Sequence, residues 1–186
     1  FINRLEKIGI SAIVLEDKVG LKRNSLFEDQ KDSRQDTISN FSRKIKTIAQ
    51  SRISNDFMIV ARIESFILKK GLRDAIKRAN AYSKAGADAI LIHSKNNSPN
   101  EIFSFAKVFA KSKYYKPLVA VPSTYSKTTE KNLEKNGFRI VIYANHMLRA
   151  SYPSMMTVAQ SILKNQRSFP AEKNLESIKK ILNLIK

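Results

Sequence analysis

Phe57-Met58-Ile59-Val60-Ala61-Arg62-Ile63-Glu64 is the stretch on which the fold turns. Five apolar residues in succession lead into an Arg-Ile-Glu end. A short apolar run without polar alternation marks a strand buried on both faces, as in a parallel sheet. Four more runs share this character: Ala12-Ile13-Val14-Leu15, Ala89-Ile90-Leu91-Ile92, Leu118-Val119-Ala120-Val121 and Ile140-Val141-Ile142-Tyr143.

Helical patterns separate the runs. From Asp36 to Gln50, Ile38, Phe41, Ile45 and Ile48 recur at spacings of three and four, which places them on one helix face. Leu72 to Ala85 follows the second run, and Gly86 stands where a helix ends in a left-handed residue. Pro99 to Lys111 begins with Ser98 as N-cap and Pro99 in the first turn. Thr128 to Asn136 ends at Gly137. His146 to Asn165 carries Pro153, which predicts a break or a second helix start, and Asn174 to Ile185 predicts one more amphipathic helix.

The order is βα repeated five times, then a tail. Parallel strands need crossovers, so an open doubly wound sheet and part of a (β/α)8 barrel compete. No glycine-rich fingerprint follows any strand, which weighs against a dinucleotide-binding sheet. All five runs end in polar residues: Glu16-Asp17-Lys18, Arg62-Ile63-Glu64, His93-Ser94-Lys95, Pro122-Ser123-Thr124 and Asn145-His146. In a barrel every strand end reaches one shared rim, whereas an open sheet uses only its switch point. The pattern favours the barrel. Such a rim suits an anionic substrate and a divalent cation: carboxylates orient magnesium and its waters, Arg62, Lys18 and Lys22 neutralise phosphoryl or carboxylate oxygens, and His93 donates a hydrogen bond or a proton. The long polar stretch from Asp17 to Gln35 reads as a lid with Gly20 as hinge.

Composition narrows the partners. The 186 residues include 34 Lys+Arg against 16 Asp+Glu, a formal charge of +18, with 42% apolar residues. That apolar content builds a core and excludes global disorder. The lysines lie along the whole chain and never interleave with aromatics as in an RNA platform, so no nucleic-acid partner is expected; the charge helps attract a small anionic substrate. No apolar run approaches the roughly 18 residues of a membrane span, and the opening FINRLEKIGI lacks the apolar core of a signal peptide. The absence of Cys excludes disulfides, thiolate zinc sites and cysteine nucleophiles, and fits a cytoplasmic address.

Leu15-Glu16-Asp17-Lys18, followed by Lys22-Arg23-Asn24-Ser25-Leu26, resembles the E-D-K-x-x-x-K-x-N-S loop of the phosphoenolpyruvate mutase family, within the isocitrate lyase superfamily. The similarity continues in collinear order through Ile59 to Glu64, Ala85 to Ser94, Pro117 to Pro122 and Val141 to His146. The resemblance implies a (β/α)8 barrel with its last helix exchanged between subunits, a homo-oligomer, magnesium as cofactor, and interconversion of phosphoenolpyruvate with 3-phosphonopyruvate, the step that opens phosphonate biosynthesis. By match, Lys22, Asn24, Ser25, Arg62 and His93 are catalytic. Asp17, Lys18, Leu26 and Glu64 belong to the substrate-binding and gating region, and Glu16 holds magnesium through water. Gly20-Leu21 replaces the family's aromatic-Pro pair. The resemblance starts near the family's fourth strand, so residues 1–165 are expected to form the C-terminal part of the barrel and 166–186 a helical tail; the aspartate that ligates magnesium directly would lie on the strands not seen, leaving this chain alone inactive. Phosphonopyruvate hydrolase is the alternative chemistry, and an inactive truncated barrel or a basic binding module the alternatives without chemistry. Superfamily lyases need a loop Cys, which this chain lacks.

Overall fold

The computed structural model describes residues 1–20 and 34–184. The contacts divide the chain into two units, Phe1–Tyr143 and Ala144–Lys186.

The first unit is built on five parallel strands, β1 (Ala12–Glu16), β4 (Met58–Ile63), β5 (Ala89–Ile92), β6 (Leu118–Ala120) and β7 (Phe138–Val141), hydrogen-bonded in that spatial order. Each new strand adds on the same side of the last, so the sheet has no switch point. The helices between them, α2 (Ile38–Ser51), α3 (Gly71–Ala85), α4 (Asn100–Phe109) and α5 (Glu130–Lys135), contribute to a single core. Phe41 and Ile45, Ala75 and Tyr82, Phe105 and Phe109, and Leu133 meet Ile59, Ala61, Ile63, Ile90, Ile92, Leu118 and Ala120 there. Those strand residues alternate with a second, smaller cluster, Val60, Ala89, Leu91 and Val119. Successive strand residues point to opposite faces, so all the helices cover one face and the small cluster lines the other. A doubly wound sheet would carry helices on both. This is the wall of a (β/α)8 barrel, five strands with the four helices between them, the small cluster facing the barrel interior.

Local signals set the boundaries. Thr37 caps α2, its hydroxyl accepting from the Asn40 N–H at 3.1 Å. Thr129 caps α5 in the same way. Gly86 closes α3 at φ +115°, and a Cβ there would lie 2.9 Å from the Ala49 Cβ of α2, so close helix packing and the left-handed turn both require glycine.

Four features depart from the sequence reading. A short helix, α1 (Ile2–Lys7), precedes the first strand. The polar stretch after Glu16 begins and ends in a two-stranded antiparallel stem, β2 (Lys18–Val19) with β3 (Arg34–Gln35), too short for a pattern of its own. In the second unit, α6 (His146–Asn165) runs through Pro153 without a break; proline removes one donor, and a helix of 20 residues keeps the rest of its ladder. The tail forms a 3-10 turn over Phe169–Asn174 and a helix α7 (Ile178–Asn183) shorter than the periodicity predicts.

Candidate active site

Strand alternation sorts the polar residues at the strand ends into two layers. In β1 Leu15 faces the helices, so Glu16 faces the interior and Asp17 turns back toward the helices. In β4 Ile63 faces the helices, so Arg62 and Glu64 face inward and Ser65 outward. In β5 Ile92 faces outward, His93 inward and Ser94 outward. Register brings the inward set together: Glu16 pairs with Arg62, and Ile63 with Ile92, one step short of Glu64 beside His93.

The inward layer is a compact electrostatic group. The Arg62 Nε donates to Glu64 Oε1 at 2.8 Å and lies 3.9 Å from Glu16 Oε2. The Glu64 side chain is wholly buried, whereas that of Arg62 keeps 21% of its surface open. Such a pair holds a guanidinium in one orientation while leaving part of it accessible to an anion. His93 is buried, and burial, with the nearby Arg62 charge, lowers its imidazole from 6.5 to about 4. It is therefore neutral at physiological pH. Its Nδ1 is buried without a hydrogen-bond partner among the described residues.

The outward layer is a second network. Asp17 is fully buried. Its carboxylate accepts from the Glu64 N–H (3.0 Å), Gln35 Nε2 (2.9 Å), the Tyr82 hydroxyl (2.8 Å) and Arg78 Nη1 (3.2 Å). Burial pushes the Asp17 carboxyl up from the usual carboxylate range, against the pull of these donors and of the Arg78 charge. Burial and Asp17 also push the Tyr82 phenol up, so it stays a donor. Arg78 Nε donates to Asp74, which accepts in turn from Ser65. Asp74, Arg78 and Tyr82 are spaced by four on α3, a helical signal that marks one face but does not by itself reveal what that face meets.

The residues predicted for the site are thus distributed. Glu16, Arg62, Glu64 and His93 converge at the interior rim. Asp17 sits behind them, and Lys18 lies in the stem. Lys22, Asn24, Ser25 and Leu26 lie outside the described residues. A cavity of about 710 Å3 opens beside the segments that follow these strand ends, with Arg34, Lys69, Lys70 and Lys95 in its wall; it adds positive potential next to the rim. No three metal-ligating side chains converge among the described residues. Glu16 is a hard oxygen donor of the kind magnesium takes, and the described residues bring no complete ligand set together around it.

A parallel sheet wound one way, with an arginine–carboxylate pair and a buried histidine at its strand ends, defines the wall of an enzyme-type (β/α)8 barrel. The profile of the family described as phosphoenolpyruvate phosphomutase matches residues 1–163, and the chain belongs to that family. It is 38% identical to a phosphoenolpyruvate phosphomutase of Tetrahymena pyriformis over 185 residues, covering 98% of this chain and 60% of that protein. It is also 38% identical to a phosphonopyruvate hydrolase of Variovorax sp. (strain Pal2) over 188 residues, covering 98% and 62%. The crystal structure of a phosphoenolpyruvate phosphomutase from Streptomyces platensis subsp. rosaceus superposes with a TM-score of 0.88 at 34% identity, over 98% of this chain and 62% of that one. A phosphonopyruvate hydrolase solved in complex with oxalate and Mg++ superposes at 0.84, with 35% identity over 98% and 61%. The chain spans about 60% of the length of the curated relatives it matches.

Proposed function

We propose that the protein is a phosphoenolpyruvate mutase, interconverting phosphoenolpyruvate and 3-phosphonopyruvate as part of phosphonate biosynthesis, in the cytoplasm and as a homo-oligomer. The observation that carries this reading is the pairing of Arg62, oriented by Glu64, with a His93 that is neutral at physiological pH. In the direction of phosphoenolpyruvate formation the C–P bond of phosphonopyruvate breaks and an O–P bond forms to the oxygen of the same pyruvyl unit. Atoms and protons balance within the substrate. Arg62 binds the anionic substrate and stabilises charge on the oxygens around the migrating group. Neutral His93 supplies a hydrogen bond and keeps its protons, as an isomerisation requires.

Magnesium belongs to this reading as the ion that neutralises the substrate's oxygens; Glu16 is the carboxylate this chain offers to its water shell. Lys22, Asn24, Ser25 and Leu26 are assigned by their match to the family's loop, with Asn24 beside the migrating phosphoryl group.

Phosphonopyruvate hydrolase is the second reading, favoured by the equal identity to that relative. Hydrolysis must deprotonate a water and protonate the departing enolate, work for which a His93 with its pKa near 4 is a poor acid at neutral pH. Phosphorus NMR of the full-length protein with phosphonopyruvate and magnesium separates the two. Phosphoenolpyruvate as product is the expected result; pyruvate with free phosphate overturns the mutase in favour of the hydrolase.

A further inference from the structure

Asp17 belongs to none of the inward-facing groups, yet it bonds the backbone that carries Arg62 and Glu64. Its N–H donates to the Arg62 carbonyl at 3.1 Å, and its carbonyl accepts from the Asp36 N–H at 2.7 Å. Its carboxylate accepts from the Glu64 N–H on one oxygen, and from Gln35, Tyr82 and Arg78 on the other. One residue thus joins the end of β1, the end of β4 on both sides of Ile63, the β2–β3 stem, and helix α3.

A buried ion pair is poor evidence for stability, because desolvation offsets much of the attraction and apolar residues of similar volume often do as well. The placement of this one is informative. It lies directly behind the rim, where Tyr82 of the main apolar cluster bonds both of its members. Arg78 extends the same tie, with Nη1 donating to the Asp36 carbonyl and the Tyr82 hydroxyl, both at 2.8 Å. Gln35 and Asp74 both bond Ser65, the residue after Glu64, so the backbone that carries the Arg62–Glu64 pair is clamped from two directions.

We infer that Asp17, held by Arg78, is a positioning residue that sets the orientation of the Arg62–Glu64 pair and locks it to the base of the stem. The inference rests on the proposed reading of Arg62 as the substrate-binding cation. Asp17 works through the Glu64 N–H and never meets the substrate. The consequence is specific. Asn at position 17 has nearly the same shape, but its amide nitrogen meets the donors of Gln35, Tyr82 and Arg78 or that of Glu64. One side of the clamp must open. A displacement of about 1 Å in a group aimed at a reacting centre costs up to about 10²-fold in rate.

The experiment uses the full-length protein, wild type and Asp17→Asn, with Gln35→Leu as a milder variant that removes the Gln35 ties to Asp17 and Ser65 from a partly exposed position. Turnover of phosphonopyruvate gives kcat and KM, and nitrogen-15 NMR follows the Arg62 Nε–H, assigned by its loss in Arg62→Lys. The expected result is a kcat about 10²-fold lower in Asp17→Asn and several-fold lower in Gln35→Leu, with KM changed by less than about threefold. The Arg62 Nε–H should shift and lose exchange protection well below the melting temperature in both. Wild-type kcat with an unchanged Arg62 Nε–H in either folded variant overturns the inference. If Asp17→Asn does not fold, Gln35→Leu alone decides. If the wild type turns over no phosphonopyruvate, the proposed function fails, while the Arg62 Nε–H still reads the clamp directly.

Discussion

Arg62 and His93 carry the predictions at the scale of the residue. Arg62→Ala in the full-length protein should lower kcat/KM by about 10–150-fold, the equivalent of losing a charge-assisted contact of about 1.5–3 kcal/mol. Lys113→Ala is the control. Lys113 lies over the Tyr114 ring on the turn after α4, and its loss should change activity by no more than about twofold. Comparable losses in the two variants would contradict the rim assignment. His93 governs an acid limb of stability. Its imidazole is held near 4 in the fold against 6.5 when unfolded, so between those values the unfolded chain binds the extra proton. The stabilising contribution is fully present above pH 6.5 and is lost as pH falls toward 4. Melting temperature against pH should show that decline in the wild type, and His93→Gln should flatten it. Parallel curves for the two proteins would sink the assignment of a buried neutral imidazole.

Among the elements, the α3 terminus gives the sharpest test. Gly86→Ala places a methyl group 2.9 Å from the Ala49 Cβ and forces an L-residue to φ +115°. Left-handed backbone alone costs about 1–2 kcal/mol for a residue with a Cβ, and the α2–α3 contact must also shift. Urea unfolding should show a loss of about 2 kcal/mol or more, with m unchanged. A loss below about 0.5 kcal/mol would mean that the two helices do not pack at that distance. The element boundaries also show where one-dimensional patterns succeed. The left-handed torsions at Gly86 and Gly137 are local and legible in the order of residues, whereas the cap at Thr129, one residue inside the helix expected from Thr128, is not. Nor is the β2–β3 stem. Its strands are two residues each, and they pair because Asp17, Gln35 and Asp36 are held by residues far away in the chain.

At the scale of the whole molecule, the second unit presents an apolar surface to water. None of the α6 residues is buried, and Met147, Leu148 and Leu163 are 82%, 68% and 82% exposed; Phe169, Ile178 and Leu184 in the tail are similarly open. Large apolar side chains exposed in such number favour association. The 186-residue chain should therefore self-associate at micromolar concentration, and Leu148→Glu combined with Leu163→Glu should reduce the associated fraction in sedimentation velocity. A monodisperse monomer that melts cooperatively would contradict the homo-oligomer in the proposed function.

The order of residues by itself determined the class of fold, because strands buried on both faces must be apolar throughout and their crossover helices must repeat at 3.6 residues. It also singled out the five polar strand ends, Glu16, Arg62, Glu64 and His93 among them, because a barrel has one chemical rim and its apolar runs stop there. Tertiary structure decided the rest. Glu16 and Asp17 are adjacent acids with equal claims in the sequence; only the orientation of β1 between the sheet interior and α3 makes one a rim carboxylate and the other a buried anchor. The same holds for Arg62 and Arg78, two arginines of which one meets the site and the other holds it. Nothing local distinguishes them, since a buried charge is defined by partners far along the chain: Glu64 and Arg78 lie 47 and 61 residues from Asp17. Those partners reach Asp17 only because the strands pair in consecutive order and place the face of α3 that carries Asp74, Arg78 and Tyr82 behind the rim.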